Sequence, residues 1–269
     1  MRPIPVPKSS SDGISVHLLT NRKDWRMAAW SIASFLKACG RTFPVVVHDD
    51  GSLQPGQAAK LERLFPGLRI IWRPEADRAV VEALAGRPQS LEFRSRYNNS
   101  IKLFDPWLVA GARDVIALDS DLIFFRKPEE ILAWVDGPRS VNRWNEDVES
   151  AYTLTHDEIR DHLGVEMIPR INSGLGVISG KSMDWDLVEK ALEHPAARSH
   201  HWRIEQTLFA ILSCRFGVEL LSPKHRIDIS RDFKIDDTLV NRHYVGAVRD
   251  LMYTQGMKRL LARGILDRA

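Results

Sequence analysis

The stretch VIALDSDLIFF, residues Val115 to Phe125, places two carboxylates inside the most strand-like part of the chain. Asp119 and Asp121 flank Ser120, with VIAL before them and LIFF after them. At strand spacing, residues two apart point to the same side, so the two acids are expected to converge. Converging carboxylates repel each other unless a proton or a cation relieves the conflict. A small cluster of hard oxygen ligands suits Mg²⁺ or Mn²⁺, with phosphate oxygens at further positions.

A simple turn is the alternative interpretation of this stretch. Asp and Ser are frequent turn formers, and an Asp-x-Asp pair alone is a weak motif. The apolar flanks favour a functional role, because a turn that needs only solvation has no reason to lie between VIAL and LIFF.

Strand-like and helix-like runs alternate through the first half of the chain. The predicted strands are residues 14–19, 43–48, 68–72 and 114–118. The predicted helices are residues 25–40, which Asp24 could cap, 57–65, 74–86 and 95–112, the last kinked or restarted at Pro106. This alternation predicts an α/β fold with a mostly parallel central sheet flanked by helices, Rossmann-like in its first half. Such folds bind ligands beyond the carboxyl ends of their strands, where Asp119 follows DVIAL.

The chain is predicted to be one domain. Residues 1–13 are expected to be a flexible N-terminal segment and residues 14–269 the domain itself. Within it, residues 14–125 are predicted to be a nucleotide-binding half, and residues 126–269 a less regular half with a closing C-terminal segment. No internal repeat or low-complexity linker divides them.

Composition excludes several classes of partner. The net charge of +3 comes from 38 basic and 35 acidic residues, a balance that argues against nucleic-acid binding. Cys39 and Cys214 have no metal-ligand spacing and are interpreted as reduced core thiols of a cytoplasmic protein. No apolar run approaches the ~18 residues that a membrane span needs. The basic C-terminal stretch, with apolar points from Leu251 to Leu266, could contact the inner face of a membrane. A terminal helix packed on the core is the favoured alternative.

Four segments carry a family resemblance. VIALDSDLIFFRKPEEI resembles the Asp-x-Asp segment of GT-A fold nucleotide-sugar glycosyltransferases, above all the retaining family-8 type. INSGLGVIS (residues 171–179), IEQTLF (204–209) and HYVGAVR (243–249) resemble the Asn-Ala-Gly, Asp-Gln and His-x-x-Gly-x-x-Lys segments of that family. The order and rough spacing agree, and the resemblance runs from about residue 14 to residue 249.

The resemblance implies a GT-A-like domain that moves a sugar from a nucleoside-diphosphate donor to an acceptor, with retention of configuration at the anomeric carbon. Uridine is the expected nucleoside of the donor, and residues 126–269 are expected to hold the acceptor side. The acceptor stays open between a glycan, a lipid, a protein and a small molecule. The implied metal ligands are Asp119, Asp121 and His243, holding Mn²⁺ or Mg²⁺; the imidazole favours Mn²⁺. The implied catalytic residues are Gln206, under the reacting sugar, and Glu205. The implied donor-binding residues are Thr20, Asn21, Lys102, Ser120, Asn172, Ser173, Gly174, Gly246 and Arg249.

Three positions depart from the family pattern. Lys102 stands where an Arg is common, Arg249 where a Lys is common, and Glu205 where an Asp is common. Lys102 could instead lie on a solvated helix face, with Arg94 or Arg96 in its role.

Other assignments also stay open. The segment NSG (residues 172–174) could be a turn, and Glu205 could simply complement a helix dipole. Either Glu146 or Asp147 is expected to touch the donor sugar or the acceptor.

Two other functional classes compete with a transferase. A phosphatase of the haloacid-dehalogenase type also places Asp-x-Asp after a strand, but usually near the N-terminus and with Thr or Val where Ile123 stands. A non-catalytic nucleotide-binding protein is the third class, against which the intact Asp119, Asp121, Gln206 and His243 argue.

Overall fold

The computed structural model describes residues 1–264. The strands in this part of the chain are β1 (Ile14–Thr20), β2 (Val45–Asp49), β3 (Arg69–Ile71), β4 (Asp114–Leu118), β5 (Leu122–Phe124), β6 (Asn142–Glu146), β7 (Ile171–Ser179), β8 (Val218–Leu220), β9 (His225–Ile227) and β10 (Asn241–His243). The α-helices are α1 (Trp25–Cys39), α2 (Pro55–Leu64), α3 (Arg73–Ala83), α4 (Pro88–Arg96), α5 (Ser100–Leu108), α6 (Glu129–Asp136), α7 (His156–Leu163), α8 (Trp185–Glu193), α9 (Ile204–Phe216) and α10 (Lys258–Ala262).

The central sheet has the strand order β3-β2-β1-β4-β7-β6-β8, and a small second sheet has the order β5-β10-β9. Neighbouring strands pair in parallel from β3 to β4 and between β6 and β8, whereas β7 runs antiparallel to both β4 and β6. The predicted α/β class with a mostly parallel, helix-flanked sheet is therefore confirmed. The second sheet crosses the end of β4 and brings a distant part of the chain to that edge.

Apolar side chains cover both faces of the central sheet. In β4, Ile116 and Leu118 join the core that lies beneath α1, while Val115 and Ala117 join the core beneath α5 and α9. This alternation is the pleat of a strand buried on both faces, which is why DVIAL has no polar side after Asp114. The strand thus ends with its next residue, Asp119, at the carboxyl edge.

Three local predictions were wrong. Residues 119–121 form the turn between β4 and β5, so the two acids converge through a turn and not through strand alternation. Residues 172–174 lie inside β7 and do not form a turn. Pro106 lies within α5 without ending it, and the break in the predicted helix 95–112 falls at Tyr97, which follows α4. Pro106 has no N–H to donate to the carbonyl of Lys102, and α5 ends two residues later, at Leu108.

The N-terminal segment is not free of the domain. The backbone amides of Ile4 and Val6 donate to the carbonyls of Leu64 and Pro66, and both side chains are buried. Alternating apolar residues let this extended segment seal the end of α2, a role that its prolines had obscured.

The C-terminal segment packs on the core. A π-helical stretch, Met252–Met257, leads into α10, and the side chains of Met252 and Leu260 are fully buried. Leu266, one of the predicted apolar points, lies outside the described residues. Two of its apolar points, Met252 and Leu260, therefore face the core, whereas Leu251 and Leu261 are half-buried. Within residues 1–264, no helix combines the length and the hydropathy that crossing a bilayer requires.

Candidate functional site

Three predicted metal ligands meet where the two sheets touch. The antiparallel pairing of β5 with β10 places His243 opposite Leu122, directly beside Asp121. The Nε2 atom of His243 lies 2.9 Å from Oδ1 of Asp121 and 3.7 Å from Oδ2 of Asp119. One ligand atom from each residue lies within 4.8 Å of the other two. Two carboxylates and an imidazole are a donor set that fits a divalent cation such as Mn²⁺ or Mg²⁺.

Hydrogen bonds from two other elements hold the Asp119–Asp121 turn in place. The amide of Asp119 donates to the carbonyl of Gly174 at 2.7 Å, continuing the pairing of β4 with β7. Ser31, on the buried face of α1, donates to the carbonyl of Asp119 at 2.9 Å. Ser34, one turn further, accepts from the amide of Phe124 at 3.1 Å. The two buried serines of α1 thus fix the backbone of the turn, a role that their apolar surroundings did not suggest.

Each acid presents one oxygen to His243 and the other to a cation. Oδ1 of Asp119 lies 2.9 Å from Nζ of Lys102. Oδ2 of Asp121 lies 2.9 Å from Nε of Arg249, whose Nη2 also contacts Ser120 at 3.2 Å. The carboxylates are therefore neutralised on their outer sides, while their inner oxygens share one point with the imidazole.

These contacts set the protonation of Asp121 and His243. Burial alone would raise the pKa of Asp121, but His243 and Arg249 outweigh it and lower the pKa to about 2. Burial acts to lower the pKa of His243, yet Asp121 and Asp119 raise it above its ordinary value. Asp121 is thus an anion at neutral pH, the form in which a carboxylate binds a metal.

A second wall of the site comes from the first turn of α9 and the bend of β7. The hydroxyl of Ser173 donates to Glu205 at 3.1 Å, and the amide of Ser173 donates to Oε1 of Gln206 at 3.2 Å. The side-chain amide of Gln206 donates to the carbonyl of Ala151 at 3.3 Å and to Asp147 at 3.4 Å. The orientation of Gln206 is therefore held from three sides.

Glu205 lies in the same wall and contacts the predicted metal site through Lys102. It is buried, and its Oε1 lies 3.1 Å from Nζ of Lys102, which bridges it to Asp119. Burial raises the pKa of Glu205 to about 7, although Lys102 opposes that rise. Burial acts to lower the pKa of Lys102, but Asp119 and Glu205 raise it above its ordinary value, so Lys102 remains a cation. The solvated helix face suggested for Lys102 is thus wrong.

One cavity of about 490 Å³ joins these walls. The predicted site residues that line it are Lys102, Asp119, Asp121, Asn172, Ser173, Gly174, Glu205, Gln206, His243 and Gly246. Ser120 and Arg249 lie beside it, in contact with each other. Gly246 has a φ of 40°, the left-handed region that favours glycine, at the start of the short turn that leads to Arg249.

Two predicted donor-binding residues lie apart from this cavity. Thr20 is buried at the end of β1, with an unpartnered hydroxyl. Asn21 folds back on its own loop, accepting from the amides of Lys23 and Asp24 and donating to the Asp24 carboxylate at 2.8 Å. Asp24 makes no side-chain capping bond to α1 and instead contacts Arg249 at 3.0 Å. Asn21 is therefore linked to Arg249 through Asp24.

The structure separates candidates that the sequence left open. Asp147 lines the cavity and accepts from Asn172 at 2.8 Å, whereas Glu146 points away to Arg170. Arg94 is buried in ion pairs with Asp77 and Asp105, and Arg96 pairs with Glu92; neither lines the cavity.

Sequence reasoning missed the apolar rim of this cavity. Val148, Trp202 and Ile229 line it and are all exposed. They come from three loops outside any periodic pattern, so only an aromatic residue just before α9 hinted at them.

Gly174 is the closest approach of β7 to the metal ligands. A methyl group in place of its hydrogen would lie 2.2 Å from Cε1 of His243 and 2.8 Å from Oδ2 of Asp119. The pairing of β6 with β7 shifts here: Trp144 is opposite Gly176, but the next residue, Asn145, is opposite Asn172. This bulge turns residues 173 and 174 toward the site.

Comparison with solved structures identifies the fold. The bifunctional glycosyltransferase WbbM aligns with 97% of this chain and 51% of its own, at 14% identity and a TM-score of 0.63. The galactosyltransferase LgtC, in complex with donor and acceptor sugar analogues, aligns over 95% of this chain and 97% of its own, at 16% identity and a TM-score of 0.55. Mouse xyloside xylosyltransferase 1 aligns over 90% and 98%, at 14% identity and a TM-score of 0.53. No family model and no curated protein sequence matches the chain.

The chain therefore has the GT-A fold of nucleotide-sugar glycosyltransferases, as the four sequence segments predicted. It spans about half the length of WbbM. Neither the fold nor the comparisons support the phosphatase or the non-catalytic alternative.

Proposed function

We propose that this protein is a metal-dependent glycosyltransferase that moves a sugar from a nucleoside-diphosphate donor, with UDP as the expected nucleotide, to an acceptor with retention of configuration. The observation that carries the proposal is the division of the Asp119 and Asp121 oxygens between His243 on one side and Lys102 and Arg249 on the other. A cluster that only stabilised the fold would need no convergence of three metal-type ligands at the floor of a large cavity.

The charges of the site suit a diphosphate leaving group. Asp119, Asp121 and His243 would hold the cation, which when bound acts as a Lewis acid on the diphosphate oxygens. Lys102 and Arg249 flank the same point and supply further positive charge where the departing diphosphate gains negative charge. Arg249 contributes the charge of a guanidinium whose Nε and Nη2 atoms are held by Asp121 and Asp24.

Gln206 is the residue proposed to face the reacting sugar. Its side chain is uncharged and held by Ser173, Ala151 and Asp147, so it can support positive charge at the anomeric carbon without forming a lasting bond. No second carboxylate is needed across the scissile bond, unlike in glycosidases. Glu205 also lines the cavity, but Lys102 and Ser173 already bind its carboxylate, so it is a positioning residue in this proposal.

Donor sites on this chain extend along β7. Asn172 and Ser173 offer an amide and a hydroxyl to sugar hydroxyls, and Gly174 and Gly246 allow the backbone to approach the diphosphate. Thr20 and Asn21 remain proposed contacts of the nucleotide, since both lie at the carboxyl end of β1, where such sheets bind nucleotides.

A donor screen tests the proposal. Thermal unfolding is measured with UDP-sugars, UDP and GDP, each with Mn²⁺, with Mg²⁺ and with EDTA. We expect stabilisation by one nucleotide that requires the metal, because a ligand that binds only the folded state raises its unfolding temperature. Asp121→Asn should lose this stabilisation, while Asp157→Asn, an exposed acid of α7, should keep it. Equal responses of wild type and Asp121→Asn would refute the proposed site.

A further inference from the structure

The rim of the cavity carries three of the large apolar side chains that are exposed in the described part of the chain. Five such side chains are exposed within residues 1–264, and three of them, Val148, Trp202 and Ile229, line this one cavity. Apolar side chains gathered on a solvent-exposed surface around a polar cavity indicate a binding site for a ligand with an apolar face.

Trp202 contacts a cation and an imidazole while part of its side chain stays exposed. The guanidinium carbon of Arg203 lies 4.8 Å from the centroid of its ring, and His200 contacts it edge-on at 4.7 Å. Arg203 is itself fixed by Glu149, at 3.0 Å across the rim. Trp202 nevertheless remains 45% exposed. The Arg203 guanidinium therefore covers one face of the ring, and the exposed part of the side chain can pack on a flat partner.

The polar groups beside the ring suit hydroxyls. Asp147 and Glu149 line the same cavity and offer carboxylate oxygens as acceptors. A pyranose ring combines a C–H face that packs on an aromatic ring with a rim of hydroxyl donors. Asp147 accepts from Asn172 and Gln206, and Glu149 accepts from Arg203. Each carboxylate keeps lone pairs for further donors, and a lipid chain would take them out of water without supplying a donor.

A second cavity continues from the first. It has a volume of about 260 Å³ and shares Asp147, Val148 and Ile229 with the main cavity. Its other walls carry Arg226 and Asp228, charged groups that can contact further hydroxyls. The two cavities therefore offer room for a sugar chain longer than one unit.

We infer that the acceptor is a glycan of at least two sugar units, whose terminal pyranose stacks on Trp202 and whose next unit extends into the adjoining cavity. The inference rests on the proposed transferase function and names the substrate class of the same site. The reaction joins an acceptor hydroxyl oxygen to the anomeric carbon as the bond to the diphosphate oxygen breaks. The hydroxyl proton is released, and the nucleoside diphosphate leaves with the bonding electron pair.

The test uses lactose, maltose and cellobiose as probes, with methyl galactoside and methyl glucoside as single-unit comparisons. Saturation-transfer NMR is recorded on the full chain with UDP and Mg²⁺, since Mn²⁺ would broaden the signals. We expect at least one disaccharide to bind more tightly than its methyl glycoside. Trp202→Ala should weaken that binding by about tenfold, and Trp202→Phe should restore most of it. Val81→Ala, which removes an exposed apolar side chain of α3 outside both cavities, is the matched control and should bind as the wild type does.

Two results would overturn the inference while leaving the proposed function intact. One is a wild type that binds UDP with metal but none of the sugars. The other is undiminished sugar binding by Trp202→Ala. A wild type that shows no metal-dependent nucleotide binding would instead refute the proposed function, so the two failures are distinguishable.

Discussion

Substituting Gly174 with alanine tests the proposed metal site, because the added methyl group would collide with His243. The added methyl carbon would lie 2.2 Å from Cε1 of His243, whereas ordinary contacts begin near 3.4 Å. The imidazole must therefore recede by about 1.2 Å, or β7 must move by as much. The ring cannot easily recede, because it is buried and its strand β10 is paired on both sides, with β5 and β9. No positive φ is recorded at Gly174, so backbone strain does not contribute.

Gly174→Ala should lose metal affinity along with some stability. A displacement of this size separates Nε2 of His243 from the carboxylate oxygens that it now faces at 2.9 and 3.7 Å. Disturbing the support of metal-binding histidines typically costs 10–100-fold in affinity, so we expect a loss of at least about tenfold. Overpacking should also reduce the free energy of unfolding by about 1–3 kcal/mol. Calorimetric titration with Mn²⁺ and urea unfolding without metal measure the two effects separately.

Gly176→Ala is the matched control for this experiment. Its methyl carbon would also lie 2.2 Å from a ring, but that ring is Trp144 and not a metal ligand. We expect a similar loss of stability with Mn²⁺ affinity kept. Gly56→Ala, in α2 with nothing within 4 Å of the new carbon, should keep the Mn²⁺ affinity and raise the free energy of unfolding by about 0.4–1 kcal/mol, because alanine restricts the unfolded chain. If Gly174→Ala bound Mn²⁺ as tightly as Gly176→Ala, the assignment of His243 as a metal ligand would be refuted.

Three further predictions address charge, catalysis and pH. His243→Ala should remove metal-dependent donor binding. The measurement is the rise in unfolding temperature with UDP and Mn²⁺, and a rise equal to that of the wild type would contradict the prediction. Gln206→Ala should lower kcat by about tenfold or more with little change in donor affinity, because its proposed role lies in the transition state; an unchanged kcat in steady-state assays would remove that role. His17 and His48 are buried and contact each other at 2.8 Å; burial keeps the pKa of His17 well below its ordinary value and lowers that of His48 to about 3. The unfolded chain therefore binds more protons than the folded one below pH 6.5, and each ring should cost about 2 kcal/mol of stability by pH 5. Urea unfolding at pH 7 and pH 5 measures this, and His48→Gln should reduce the difference; an equal difference in both proteins would show that another group is responsible.

At residues 119–121, the residue types predicted a metal site, but the backbone conformation was predicted incorrectly. Two acids after an apolar strand predicted a metal site, and the ligand set supports that proposal, although the backbone makes a turn where a strand was expected. A turn and a metal site were alternative interpretations of this stretch. In the structure, a turn carries the two predicted metal ligands Asp119 and Asp121. The chemistry of the side chains was readable, because it depends on residue type and close spacing.

The sequence alone determined the α/β class, the element alternation and the position of Asp119 at a strand end. Those features depend on hydrophobic periodicity and on neighbours a few residues apart, which a single sequence displays directly. Resemblance to a family added Glu205, Gln206 and His243, but not their contacts.

Tertiary structure decided which distant residues meet. His243 reaches Asp121 across 122 positions only because β10 pairs with β5 in one register, and a shift of one residue would turn the imidazole away. Packing also decided that Lys102 lines the cavity while Arg94 and Arg96 do not, and that Asp147 lines it while Glu146 points away. It likewise placed the exposed side chain of Trp202 at the rim. Such contacts depend on how packed layers align, and that alignment is set by the summed burial of many side chains, which no local pattern records.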